Sequence, residues 1–139
     1  MMKSLKTPLR YPGGKSRACT KMDQYFTEPF LGGGSVAIHV AKKYPHLKIT
    51  VNDLYEPLIN FWVQLQQFGD ELTEKLKLYK STHSEPVTAK ELFLESKEAI
   101  NNQSLDVIER AAAFYIVNKC SFSGLTESSS FSKQASVSN

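Results

Sequence analysis

The apolar positions of the chain change period once, near residue 54. Residues 24–30 (QYFTEPF) form a short strand-like run leading into consecutive glycines. Residues 48–52 (KITVN) are β-rich and alternate in part, the pattern of a second strand. Between them Val36, Ile38, Val40 and Ala41 are apolar, Ser35 stands where it can cap a helix over 36–43, and Pro45 marks the stop. Strand, glycine turn, helix and strand make a βαβ unit, which predicts a parallel pair with a right-handed crossover.

Beyond residue 54 the apolar spacing is helical. Pro57 suits the first turn of a helix over 56–68, whose apolar face takes Leu58, Phe61, Trp62 and Leu65. Asp70 is placed to cap a following segment in which Leu72, Leu76 and Tyr79 recur. Thr88 with Glu91 fits the S/T-x-x-E box, in which each side chain satisfies an unpaired backbone donor. Ser104 is placed to cap a last helix carrying Ile108, Ala112, Tyr115 and Ile116. Aromatic stripes of this kind are expected in the core. Residues 121–139 hold eight serines without a sustained period and read as a flexible loop or frayed end. The expected organisation is thus an α/β portion over 1–53, a helical region over 54–119 and a serine-rich loop or tail over 120–139.

Composition narrows the class. With 139 residues, 41% of them hydrophobic and 22% charged, the chain is long enough for a compact domain and too apolar for a disordered one. No apolar run approaches the roughly 20 residues that span a bilayer, so no membrane partner is expected. Met1-Met2-Lys3-Ser4 lacks the apolar stretch of a signal peptide. Cys19 and Cys120 have no metal-ligand spacing, and two thiols in this context point to a reducing, cytoplasmic setting. The net charge is only +3, but the first 22 residues hold Lys3, Lys6, Arg10, Lys15, Arg17 and Lys21 and no acid. On charge alone this basic terminus is either a solvated segment or a nucleic-acid contact.

Three short elements carry chemistry. In Glu28-Pro29-Phe30-Leu31-Gly32-Gly33-Gly34-Ser35, glycines after a strand let the backbone turn sharply and approach a ligand, and a helix starting behind them points its amides forward. An acid at the strand end can meet an ammonium group. Asp53 follows Gly32 by 21 residues, where a parallel-sheet nucleotide site places its ribose-binding carboxylate. A cap of the next helix is the other role open to Asp53, and the two are not exclusive. Pro8-Leu9-Arg10-Tyr11-Pro12-Gly13-Gly14-Lys15-Ser16 forms a tight turn that can present Lys15 to an anion. It is not a Walker loop, since Leu9 stands where that pattern needs glycine.

Taken in order, Tyr11-Pro12-Gly13-Gly14-Lys15, the acidic-Pro-Phe-x-Gly-x-Gly run from Glu28, and Asn52-Asp53-Leu54 resemble the first motifs of the D12-class adenine-specific DNA methyltransferases. Phe114-Tyr115-Ile116-Val117-Asn118-Lys119-Cys120-Ser121-Phe122-Ser123-Gly124-Leu125 is similar to the family's segment between its recognition region and its catalytic motif. The resemblance spans essentially the whole chain. It implies a partial Rossmann-like α/β sheet with a helical insertion facing DNA, and methyl transfer from S-adenosylmethionine to adenine N6 in double-stranded DNA. Carried over residue by residue, Tyr11 and Lys15 contact the cofactor, with Lys15 suited to its carboxylate. Glu28 lies near the ammonium, Phe30, Gly32 and Gly34 line the pocket, and Asp53 holds the ribose hydroxyls. Leu54 and Tyr55 follow at the adenine edge.

The chain also departs from the family. Its catalytic Asp-Pro-Pro-Tyr motif does not occur, and there is no Pro–Pro pair. Only twelve residues separate Lys15 from Glu28, where the family carries a longer helix and loop. Leu125-Thr126-Glu127 after Gly124 offers no arginine for bidentate guanine contact, so a target sequence cannot be transferred from relatives. The sequence thus predicts a cofactor-binding portion truncated before the catalytic motif, with marginal stability or a second chain completing its sheet. The alternative is a non-catalytic remnant that binds cofactor or DNA within a larger assembly.

Overall fold

The computed structural model describes residues 25–121 and 130–138, and divides the chain into two compact units, Met1–Leu54 and Tyr55–Asn139. The result is a helix-rich chain with a small parallel sheet.

In the first unit, β1 (Tyr25–Glu28) and β2 (Lys48–Val51) pair in parallel, with Tyr25 opposite Lys48 and Glu28 opposite Val51. Helix α1 (Ser35–Lys43) joins them. A parallel neighbour cannot be reached by a tight hairpin, so the chain needs this crossover. Val36 and Val40, one helical turn apart, bury against Leu47, and Phe26, Tyr44 and Ile49 close the small core. Lys42 and Lys43 sit in the last turn, complementing the helix dipole. Ser35 is not the cap expected of it. The cap is Gly34, at φ 81°, and Ser35 is already helical. The three-glycine turn ends in a left-handed residue, which glycine adopts without a Cβ clash, so the helix begins one residue early.

The second unit contains α2 (Glu56–Gln67), α3 (Gly69–Thr82), α4 (Pro86–Ala99), α5 (Val107–Cys120) and α6 (Lys133–Ser138). Helix α5 lies at its centre, packed on both α2 and α4. Arg110 through Phe114 and Ile116 through Asn118 are all buried, which leaves α5 with almost no wet face. Ala111, Ala112 and Ala113 let neighbouring backbones come close. Leu58, Phe61, Leu72, Phe93 and Ile100 fill the rest of the core. Of the stripe predicted on α2, Leu58 and Phe61 are buried, while Trp62 and Leu65 are half-buried.

Three further caps differ from expectation, each because a neighbour takes the cap position. Asp70 lies inside the first turn of α3, which Phe68 precedes. Its charge still favours the positive helix end. Pro86 starts α4 two residues before Thr88, so no capping box forms, and the Thr88 hydroxyl instead donates back to the Glu85 carbonyl at 2.9 Å. Asp106, not Ser104, caps α5 by accepting the Ile108 amide at 3.0 Å. Ser104 is engaged with Asn102. The serine-rich tail is more ordered than a frayed end where it is described. Ser121 bridges Phe131, the Ser132 amide donates to the Cys120 carbonyl at 2.8 Å, and the Phe131 ring lies 5.5 Å from that of buried Phe93. An aromatic anchor and a serine cap, in which Ser132 Oγ accepts the Ala135 amide, explain the helix that follows.

Candidate functional site

The glycine turn and the acid after β2 meet at one end of the parallel pair. The Asn52 amide donates to the Glu28 carbonyl at 2.9 Å, extending the ladder one step past the strands. The Leu31 amide then donates to the Asn52 carbonyl at 2.8 Å, which carries the turn back over the end of β2. Gly32 (φ 54°) and Gly34 (φ 81°) supply the left-handed steps that make this path possible. The Gly34 amide closes onto the Leu31 carbonyl at 3.0 Å.

Both carboxylates expected at the site face this turn. Asp53 Oδ2 accepts the Gly32 amide at 3.0 Å, across 21 residues of sequence. Glu28 Oε1 accepts the Phe30 amide at 2.9 Å. Leu31 through Gly34 are buried, Glu28 and Asp53 are half-buried, and Phe30 is 60% exposed. The structure therefore brings together Glu28, Phe30, Gly32, Gly34 and Asp53. Tyr11, Lys15 and Cys19 lie outside the described residues. Leu54 is exposed, whereas the Tyr55 ring packs 6.1 Å from Phe114 within the helical unit. Among the described residues no group of three or more His, Cys, Asp or Glu could hold a metal ion, and no helix is long and apolar enough to cross a membrane.

The helical unit holds two polar clusters that sequence reading did not single out. Arg110 is 4% exposed; its Nη1 and Nη2 donate to the two oxygens of Glu56, and its Nε donates to the Ile100 carbonyl at 3.1 Å. One guanidinium thus ties α5 to the start of α2 and the end of α4. Its only signal in the sequence is a lone cation inside the apolar run of α5. In the second cluster, Lys75 and the Tyr79 hydroxyl, on α3, both donate to the Glu109 carboxylate of α5. The bond to Glu109 holds the Lys75 ammonium above its ordinary range. Burial, then the same carboxylate, pushes the Tyr79 phenol up. Burial also raises Tyr115 and Cys120 in the second half of α5.

Residues 11–139 match the family model of the D12 class N6 adenine-specific DNA methyltransferases. The chain is 24% identical over 133 residues to the type II methyltransferase M.MjaIII of Methanocaldococcus jannaschii, covering 84% of this chain and 46% of that protein. It is 29% identical over 123 residues to the DNA N-6-adenine-methyltransferase of Escherichia phage P1, covering 84% and 15%. The type II methyltransferase M1.LlaDCHI of Lactococcus lactis is 29% identical over 104 residues, covering 73% and 34%. The chain spans less than half the length of each of these relatives.

Proposed function

The chain belongs to the D12 class N6 adenine-specific DNA methyltransferases, and from that premise we propose that it is the cofactor-binding portion of an enzyme that methylates adenine N6 in DNA. The family generally uses S-adenosylmethionine. The observation that carries the reading is the bond between the Gly32 amide and the Asp53 carboxylate, which joins a glycine turn and an acid at the carboxyl end of a parallel pair. That end is where open α/β sheets bind nucleotide-like ligands.

The residues present fit the cofactor's chemistry. An α-amino acid needs both an anion and a cation partner, and a ribose needs an acceptor for its hydroxyls. Tyr11 and Lys15 would contact the cofactor, Lys15 at its carboxylate, and Glu28 would meet the ammonium. Asp53 would accept the ribose hydroxyls, while exposed Phe30 and the Cα surfaces of Gly32 and Gly34 would line the pocket. When bound, the cofactor supplies an electrophilic methyl group. The chain's own part is to hold and orient it within a Rossmann-like sheet, and the helices from α2 to α5 are assigned to DNA recognition.

Transfer itself is assigned to none of these 139 residues. An extrahelical adenine needs its exocyclic amine held in line with the methyl group, and the Asp-Pro-Pro-Tyr motif that would do so is absent from these 139 residues. The second reading is a non-catalytic module that binds cofactor or DNA within an assembly. Calorimetric titration with S-adenosylmethionine tests the cofactor assignment. We expect saturable binding, weakened about tenfold or more by Asp53→Ala; no binding by the unaltered chain overturns it. Methyl transfer to unmodified DNA by this chain alone would overturn the need for outside residues. Transfer restored by a downstream segment carrying the motif would favour the enzyme over the module.

A further inference from the structure

Three successive amides of the turn are already spoken for. The Phe30 amide goes to the Glu28 carboxylate, the Leu31 amide to the Asn52 carbonyl and the Gly32 amide to the Asp53 carboxylate. Turns that bind anions through their backbone do the opposite: they leave a concave row of amides open to the ligand. Here the row is closed by the protein's own oxygens, two of which belong to the acids assigned to the ligand. What residues 30–32 contribute is therefore shape rather than open amide donors.

We propose that Asp53 is a positioning residue for the glycine turn: through the Gly32 amide it sets the turn's shape before any ligand arrives. The proposal rests on the reading of this turn as the cofactor pocket. A bond between a charged acceptor and a backbone amide is about twice as strong as a neutral one, and this one spans from the end of β2 to a residue at positive φ. Without it, the Gly32 amide loses its tie to the end of β2, and more of the ordering of the turn falls to the ligand. Glu28 acts in the same sense on Phe30 but over two residues only, so it shapes the entry to the turn locally. Asp53 ties the turn to the end of the second strand through its side chain.

Hydrogen exchange of single amides in the ligand-free chain, followed by NMR, reads this directly. In Asp53→Ala the Gly32 amide should exchange about 10- to 100-fold faster, while Val40 in α1 keeps its protection. In Asp53→Asn the side-chain carbonyl still accepts, and Gly32 should exchange no more than about threefold faster. Affinity for S-adenosylhomocysteine, the probe used, should fall in the same order, with asparagine between the native chain and alanine. If alanine also strips protection from Val40, the asparagine variant decides: Gly32 protection kept supports the proposal, and its full loss overturns it. Gly32 protection unmoved in alanine, with affinity falling equally in both variants, means that Asp53 acts only by touching the ligand, and the proposal fails. Gly32 protection that follows Asp53 in a chain that binds no probe leaves the positioning role standing and removes the cofactor assignment instead.

Discussion

Removing either partner of the Arg110–Glu56 pair should cost unequal amounts, because the two ends sit in different surroundings. The Arg110 side chain is 5% exposed and the Glu56 side chain 56% exposed. Glu56→Ala strands a buried cation whose remaining acceptor is the Ile100 carbonyl. Stranded buried charges cost roughly 3–5 kcal/mol; the partly wet partner argues for the lower end, about 3 kcal/mol. Arg110→Met instead removes the charge and leaves a carboxylate that water can solvate. Its cost is the Ile100 carbonyl left without its donor, about 1–2 kcal/mol. The double variant should match Arg110→Met, since nothing remains for Glu56 to pair with. Urea unfolding, read by the fluorescence of Trp62, the single tryptophan, reports on the helix that carries Glu56. At a slope of about 1.5 kcal/mol/M the midpoints should fall by about 2 M for Glu56→Ala and about 1 M for Arg110→Met. A larger loss for Arg110→Met, or a double variant equal to the sum of the singles, refutes the reasoning.

Gly34→Ala places a Cβ on a residue at φ 81° and should cost the first unit about 1–2 kcal/mol, read as faster amide exchange along α1. Asp106→Ala should cost about 1 kcal/mol in the same urea assay, whereas Ser104→Ala should stay within about 0.5 kcal/mol, since only the former caps α5. Stability should also fall on the alkaline side. Lys75, Tyr79, Tyr115 and Cys120 are all raised in the folded chain, so the unfolded chain gives up these protons first. With fewer protons bound in the unfolded state, stability holds at neutral pH and declines from about pH 8.5 upward through the folded-state values. A stability profile flat to pH 11 contradicts this. Glu109→Gln should bring the Tyr79 phenol down by removing the carboxylate that bonds to it, while burial, the largest cause, keeps it above an ordinary tyrosine, measured by phenolate absorbance.

The sequence announces its elements well and their ends poorly, for a physical reason that recurs at each helix. Apolar spacing is repeated many times along an element, so β1, β2, α1 and α2 fall within a residue or two of expectation over the described residues. A cap is a single residue, and several neighbours can compete for it. Ser35 loses to a glycine already in the left-handed region, Thr88 to Glu85, which precedes the Pro86 that starts the helix, and Ser104 to Asp106, which sits two residues nearer the helix. In each case the hydroxyl group is where the pattern wanted it, and the backbone path chose another residue.

The site follows the same logic with a different outcome. Glycines and acids at a set separation form a pattern of several residues, and the turn and Asp53 do meet in the fold. What the pattern does not contain is the partner of each carboxylate. Sequence reasoning gives Glu28 to a ligand and Asp53 to a ligand or a helix cap, because a motif names residue types and leaves out the backbone amides between them. The fold gives each acid an amide first, so a charge placed for recognition also builds the surface that does the recognising. Arg110 is the counterpart in the helical unit. A cation among alanines looks misplaced until Glu56, 54 residues earlier, and the Ile100 carbonyl are brought to it. Long-range pairing of this kind leaves no periodic trace, and so it is visible only once the helices are packed.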